Sequence, residues 1–230
     1  MNPDPFQIIV STITAQPFVT KEGRAYIYID EEFALEQKLD YLRLCGYHVE
    51  AGTIETNKEH VFDDMYFAGV SMISVNEFDD GNDALLIDMN EIVSASVLTK
   101  ETDLMNRKLT FALNYYYEMQ DANLLTDEIY EEAMAQLQQA EYFIPIHMMK
   151  CQVENQIILP FMGQRPIIPI FSDIRLMGDY VLSSGEDPDA YGPWKLTWEQ
   201  MKTIMTEHPE ISYCVNCNTV NLMLDRAKFE

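Results

Sequence analysis

Residues 24–35 have the sequence Arg-Ala-Tyr-Ile-Tyr-Ile-Asp-Glu-Glu-Phe-Ala-Leu. The aromatic and β-branched residues at the start of this stretch are typical of a strand, and we predict one over 24–29. Asp30 is a residue type that often caps a helix N-terminus, and the two glutamates behind it suit the positive end of the helix dipole. The stretch therefore predicts a strand that leads directly into a helix, which would end near Gly46.

A second stretch, residues 165–176, repeats these features with the sequence Arg-Pro-Ile-Ile-Pro-Ile-Phe-Ser-Asp-Ile-Arg-Leu. An arginine opens a predicted strand, Ser172 is predicted to cap a helix, and a leucine follows at the same offset. Residues 84–88 and 221–225 form a later matching pair. The two offsets are about 141 and 137 residues, and so long a period indicates a duplicated domain rather than a solenoid. The first copy has no counterpart to the helix that we predict from Trp198 onwards.

The order of predicted strands and helices along the chain predicts an α+β fold: two related mixed-sheet units with flanking helices, in a tandem duplication. We expect a degenerate first unit over residues 1–100, a helical connection over 101–141 that packs on both units, and a second unit over 142–230. A loop is predicted over 183–193, and Thr197 and Gln200 fit a capping box for the helix that follows. Further strands are predicted at 7–13, 67–75, 84–88, 143–146, 156–161, 165–171, 211–216 and 220–224.

The chain of 230 residues has a formal net charge of -23, spread along both halves, and 11% of its residues are aromatic. The aromatic content argues against disorder. The negative charge would repel phosphate backbones and anionic membranes, so we expect no nucleic acid and no membrane. An unknown protein partner, which could be basic, or a cation is compatible with the charge. No apolar run approaches the ~20 residues of a membrane span, and no signal peptide is evident at the start. With only four cysteines as well, we expect a cytoplasmic protein.

The C-terminal half contains five stretches whose order and spacing are informative: residues 143–146, 169–173, 198–201, 209–211 and 218–224. Through them it resembles the N-terminal domain of the SseB family, the enhanced serine sensitivity proteins. The resemblance implies a compact α+β domain with a mixed sheet and an accessory or uncharacterised role rather than a defined reaction. Cys217 departs from the proline that the family pattern leads us to expect, and the first half is similar only through the repeat.

Six residues are our candidates for a ligand or partner site. Four are polar and fall near the ends of predicted strands, where they could hold a ligand or satisfy backbone groups. Two are tryptophans that flank a loop and could anchor a partner or pack in the core. The candidates are Arg165, Asp173, Trp194, Trp198, Asn218 and Asn221.

Four further motifs suggest chemistry, but each has a simpler structural interpretation. Cys214 and Cys217 form a Cys-x-x-Cys pair, but a strand would point positions three apart to opposite faces, and zinc needs a second pair. Residues 147–151 (His-Met-Met-Lys-Cys) could suit Cu(I), although methionine is a common core residue. Residues 79–83 lack the spacing of a calcium loop and predict a hairpin turn. Ser172 has no histidine nearby in sequence to activate it. We therefore predict no catalytic residue, no metal and no cofactor.

Two functional hypotheses follow. The first is a non-enzymatic interaction or regulatory module with a protein partner, which the acidity and the duplication favour. The second is a small-molecule-binding protein or cryptic enzyme with a site between the two halves, since duplicated domains readily form clefts. A thiol-redox role for the cysteine pair is a third possibility. Whether the chain is an enzyme stays open, with the balance against it.

Overall fold

The computed structural model of the protein describes residues 5–54, 61–78, 84–93, 105–155, 157–163 and 166–229. The described residues combine helices with parallel and antiparallel strands, so the predicted α+β class is confirmed. The strands are β1 (Phe6–Ser11), β2 (Arg24–Tyr28), β3 (Val49–Ile54), β4 (Met72–Val75), β5 (Leu85–Asp88), β6 (Glu141–His147), β7 (Ile167–Ile170), β8 (Tyr191–Thr197), β9 (Ser212–Val215) and β10 (Leu222–Leu224). The α-helices are α1 (Glu32–Leu44), α2 (Val61–Phe67), α3 (Met89–Ile92), α4 (Arg107–Asp121), α5 (Asp127–Gln139), α6 (Met148–Glu154), α7 (Ile174–Ser183) and α8 (Trp198–Glu207).

The chain divides into two compact units. Unit 1 comprises Met1–Asp103 and Thr110–Ala133, and unit 2 comprises Leu104–Leu109 and Met134–Glu230. The segment predicted as a helical connection is thus divided, because most of α4 belongs to unit 1 and the end of α5 belongs to unit 2. No helix among the described residues is both long enough and apolar enough to cross a membrane.

Unit 1 is built on a five-stranded sheet in the order β3-β1-β2-β4-β5. The pair β2–β4 is parallel and the other neighbours are antiparallel. Leu35, Leu39 and Leu42 lie on one face of α1 and are buried with Ile9 of β1, as the helical spacing predicts. Pairing of β4 with β5 confirms the predicted hairpin, although its loop, residues 79–83, lies outside the described residues.

Unit 2 has strand pairs in the same order. Its sheets are β10-β9-β7 and β6-β8, with β7–β9 parallel and the other pairs antiparallel. Phe143 and Phe171 exchange two backbone hydrogen bonds of 2.9 Å each and link β6 to the end of β7. The sequence of neighbours β8-β6-β7-β9-β10 therefore matches β3-β1-β2-β4-β5 of unit 1, pair by pair and direction by direction.

The strand registers refine the alignment of the two stretches. Ile27 lies opposite Val75 in unit 1, and Ile170 lies opposite Val215 in unit 2. Matching these pairs gives an offset of 143 residues for the first strand, two more than the 141 that the sequence suggests. Because side chains alternate with a period of two, a two-residue slip keeps the same faces buried and is hard to detect from sequence. For residues 84–88 the registers reproduce the predicted offset of 137.

An asparagine in the left-handed conformation closes the parallel strand pair of each unit. Asn76 has φ 54°, donates its backbone N–H to Ile27 O at 2.8 Å, and accepts the Ile29 N–H on Oδ1 at 2.8 Å. Asn216 has φ 49° and makes the equivalent bonds: its backbone N–H donates to Ile170 O at 2.8 Å, and its Oδ1 accepts the Ser172 N–H at 2.9 Å. Asparagine is one of the few residue types besides glycine that adopts this conformation readily. We refer to each as the asparagine corner.

Two predicted helix caps are wrong for a related reason. Asp30 has φ 55°, whereas an N-cap residue needs an extended backbone. The N-cap of α1 is Glu31, so the helix begins one residue later than an Asp30 cap predicts. Ser172 is engaged with Asn216, so Asp173 caps α7 instead and accepts the N–H groups of Arg175 and Leu176. The Thr197 capping box at the start of α8, in contrast, is confirmed.

We predict that Asn216→Gly lowers the free energy of unfolding by about 1–3 kcal/mol, because glycine keeps the left-handed backbone but removes the bonds to Ser172. Asn221→Gly is the matched control, since Asn221 also has φ 50° but its side chain only approaches the Cys214 sulfur at 3.9 Å. Urea unfolding followed by circular dichroism measures both. Equal losses in the two variants would show that the corner bonds contribute nothing beyond backbone conformation.

Candidate functional site

A groove of about 520 Å³ lies in unit 1, and five of its eleven lining residues are aromatic. Tyr26 comes from β2, Tyr41 from α1 and Tyr115 from α4. A volume of this size falls within the range of known ligand pockets. The other lining residues are Phe18, Thr20, Lys21, Glu22, Leu42, Cys45, Tyr47 and Leu124.

Glycines place two walls of this groove. Gly46 has φ 97° and follows the end of α1, where its N–H bonds to Arg43 O and the Tyr47 N–H bonds to Leu42 O, each at 3.0 Å. This confirms Gly46 as the predicted C′ residue and turns Tyr47 to stack edge-on against Phe18, with ring centroids 4.9 Å apart. Because Gly69 has no side chain, α4 can approach closely, since a Cβ there would lie 2.5 Å from Phe111 Cβ.

A buried ion pair lies behind the groove. Lys38 Nζ is 2.7 Å from Glu77 Oε1, and each side chain is only 6% exposed. Ser74 Oγ donates to the same carboxylate, and Arg24 Nη1 lies 3.3 Å from it. Burial acts to raise the pKa of Glu77, but the hydrogen bonds from Lys38 and Ser74 and the nearby positive charges outweigh it and lower the pKa. Glu77 is therefore the ionised partner that holds the two cations in place.

The ion pair and the groove share two rings. Lys38 Nζ lies 4.6 Å from the centroid of Tyr26 and 5.6 Å from that of Tyr41. Burial, assisted by the charge of Glu77, raises the pKa of Tyr26 to about 12. The phenol therefore stays protonated at neutral pH, and the groove keeps a neutral aromatic wall.

A second buried carboxyl lies beside the groove. Glu118 lines a crevice with Phe18 and Tyr47 that leaves no space for a water molecule. The residue is 4% exposed, and neither carboxyl oxygen hydrogen-bonds to a described residue. Burial raises the pKa of Glu118 well above its usual range, and the Ser11 hydroxyl opposes only part of this. Burial in this dry crevice thus favours the neutral form of the carboxyl group.

His48 Nδ1 and Asp121 Oδ2, which line the same crevice, are in contact, and both side chains are partly exposed. Asp121 follows Glu118 by three residues on α4, so the two carboxyl groups share one face of the helix. Sequence analysis missed the groove and the crevice, because their residues come from four separate segments. The only local signal is the density of tyrosines in residues 115–117.

The six predicted site residues lie in unit 2, and the structure gives most of them structural contacts. Arg165 lies outside the described residues. Asp173 is buried as the cap of α7, and Asn218 Nδ2 donates to Ser183 Oγ at 3.1 Å, so these two bond to different partners. Trp198 is buried and stacks on Phe229 with centroids 4.2 Å apart. Trp194 is half-buried on β8, and Asn221 is exposed beside Cys214.

The other motifs also have structural partners. His147 caps the short helix α6 by accepting the Lys150 N–H, while Met149 in that helix is exposed. Ser172 is fully buried and hydrogen-bonded to Asn216. Among the described residues, no three His, Cys, Asp or Glu side chains are grouped so as to hold a metal ion.

Comparison of the chain with protein-family models, curated proteins and solved structures found no match. The resemblance to the SseB family therefore stays a prediction, and the geometry of the sites carries the functional argument.

We predict that Lys38→Met lowers the free energy of unfolding by about 3–5 kcal/mol, because it leaves the Glu77 carboxylate buried without its closest cation. Lys195→Met is the control, since the Lys195–Glu141 pair has a similar separation of 3.0 Å but lies exposed on the surface. That variant should lose less than about 1 kcal/mol. A similar loss in both, measured by urea unfolding, would contradict the assigned role of the buried pair.

We also predict a pH-dependent effect of Glu118→Gln. The folded state keeps Glu118 neutral, whereas the unfolded chain ionises it above a pH of about 4.3, so the stability of the wild type falls as pH rises. The stability of Glu118→Gln relative to wild type should therefore increase between about pH 4 and pH 7. Glu131→Gln, at an exposed position of α5, is the control. A difference that stays constant with pH would show that Glu118 is ionised in the folded protein.

Proposed function

We propose that the chain is a non-enzymatic interaction module that binds a basic segment of a protein partner, with the groove of unit 1 receiving a lysine or arginine side chain. The observation that carries this proposal is a groove of about 520 Å³ lined by four tyrosine rings in a chain of net charge -23. Aromatic faces attract cations, and the negative field brings basic partners to the surface.

The rings of the groove suit a cation. Lys38 already lies over Tyr26 and Tyr41, so the two rings accept an ammonium group within the fold itself. The charge of Lys38 is offset by Glu77 at 2.7 Å, and it therefore repels an incoming cation less than a free lysine would. Tyr41, Tyr47 and Tyr115 all line the groove and none of them is fully buried, so a side chain that enters from solvent would meet their rings.

A carboxylate at the rim supports the same proposal. Glu22 lines the groove and accepts a hydrogen bond from Thr20 Oγ1 at 2.8 Å, which lowers the pKa of Glu22. An ionised Glu22 could pair with a guanidinium or ammonium group whose apolar stem lies along the rings. The same negative field disfavours a nucleic acid as partner.

Membership of the SseB family and the tandem duplication form part of this proposal. The shared neighbour order of the strands and the two asparagine corners support a duplication. The family resemblance implies an accessory or uncharacterised role rather than a reaction, which agrees with a module that binds a partner.

The test is fluorescence anisotropy with a labelled nonapeptide that contains four arginines, at two salt concentrations. Tyr41→Leu combined with Tyr115→Leu keeps apolar area and charge but removes two rings, and should weaken binding at least tenfold, or about 1.4 kcal/mol. Tyr41→Phe should bind as the wild type does, because phenylalanine keeps the ring face. Tyr130→Leu, on the outer part of α5, is the matched control.

Two outcomes would contradict the proposal. The first is that the wild-type chain binds a peptide with glutamine in place of each arginine as tightly as it binds the arginine peptide, which would show that it has no preference for a cation. The second is that all tyrosine variants bind the peptide with equal affinity and the same salt dependence, which would mean that the net charge attracts the peptide and the groove does not bind it.

The volume of the unit 1 groove would also suit a small molecule, although the small-molecule alternative expected from the sequence placed its site between the two halves. Tetramethylammonium is the discriminating probe, because it offers the cation without a peptide. Saturable binding of this ion as tight as that of the peptide would favour a small organic cation as the natural ligand.

A further inference from the structure

The asparagine corner of unit 2 brings Cys214 and Cys217 together. A continuous strand would point them to opposite faces, and that prediction is wrong because the chain turns at Asn216, whose φ is 49°. Cys217 Sγ donates a hydrogen bond to the backbone O of Cys214 at 3.3 Å, and each of the two thiols shifts the pKa of the other. The same positions in unit 1 hold Ser74 and Glu77, which are also hydrogen-bonded. The corner therefore sets side chains three apart into contact in both units.

A third sulfur completes the cluster. Met162 Sδ lies 3.7 Å from Cys217 Sγ, and the Met162 N–H is held by Ile167 O at 2.9 Å. Cys214 is 2% exposed and Cys217 7% exposed, while Met162 is half-buried over them. Three polarisable sulfur atoms thus meet in an apolar part of unit 2, beside Phe143 and Phe171.

We propose that Cys214, Cys217 and Met162 form a binding site for one soft, thiophilic metal ion, of which Cu(I) is the best fit. Thiolate and thioether ligands select Cu(I), whereas structural zinc requires four ligands of the His, Cys or carboxylate type. Among the described residues no such third ligand joins the cysteine pair. This site lies in unit 2 and is independent of the groove and of the function proposed for it.

The separation of Cys217 Sγ and Met162 Sδ suits a shared metal ion. With metal–sulfur distances of about 2.3 Å, as in zinc thiolates, three sulfurs around one ion stand about 4 Å apart. The 3.7 Å between these two sulfurs is close to this value. Cys214 would supply the third sulfur from the same cluster.

Both thiols must lose a proton to bind the ion. The neighbouring Cys217 thiol lowers the pKa of Cys214, whereas the Cys214 thiol and burial raise the pKa of Cys217. Binding of Cu(I) would displace these protons, which makes the affinity dependent on pH.

The experiment is anaerobic titration of the reduced, full chain with Cu(I) in competition with a chromophoric Cu(I) chelator. One equivalent of Cu(I) per chain should be withheld from the chelator. Met162→Leu should weaken the affinity at least tenfold, and Cys214→Ser and Cys217→Ser should abolish retention. The controls are Cys45→Ser and Met149→Leu, which alter an exposed thiol and an exposed thioether.

Thermal unfolding with and without Cu(I) gives a second readout, because an ion that binds only the folded state raises the unfolding temperature. If the cysteine variants fail to fold, Met162→Leu decides the matter, since leucine fills a similar volume. The proposal is overturned if folded wild type retains no Cu(I), or if Met162→Leu retains it as tightly as wild type does. It is also overturned if a disulfide oxidant converts the two thiols to a disulfide while the reduced chain binds no metal.

Discussion

The asparagine corner is the constraint on which both units depend. In each unit a backbone N–H of the asparagine bonds to the end of one parallel strand, and its side chain bonds to the residue that follows that strand. The left-handed backbone turns the chain out of the sheet at the same point. Without this turn the residues one after and two before the asparagine would point to opposite faces of a strand. With it they meet, and each unit gains a pair of side chains in fixed contact.

The two units use this contact for different chemistry. In unit 1 the pair is Ser74 and Glu77, and the carboxylate is stabilised by Lys38 and Arg24 at the cost of removing charges from water. In unit 2 the pair is Cys214 and Cys217, and the surroundings are apolar. A buried ion pair contributes geometry more than stability, since it holds Lys38 against the tyrosine rings of the groove. The sulfur pair instead requires little desolvation, and its chemistry depends on what it binds.

The fold could be predicted from sequence wherever the signal is local. The strand at Arg24, the glycine after α1 and the Thr197 capping box each follow from a few adjacent residues. The strand predicted at 156–161 is wrong: residues 157–161 form no regular structure, because the chain there folds back through the Met162–Ile167 hydrogen bond. Strand β8 was missed, since Gly192 and Pro193 are typical of a loop but here pair with β6. In both places a partner from elsewhere in the unit outweighs local preference.

The candidate sites could not be predicted because each depends on residues that only the tertiary structure brings together. Tyr26, Tyr47 and Tyr115 have nothing in their local sequence that distinguishes them from core aromatics, and Glu118 appears as one more acidic residue of an amphipathic helix. The net charge, by contrast, is visible at once but acts over the whole surface. In the proposed function it would increase the rate at which a basic partner arrives, whereas the rings and Glu22 would determine where a cation stays. Under that proposal, composition indicates the class of partner, and the geometry of unit 1 supplies the place.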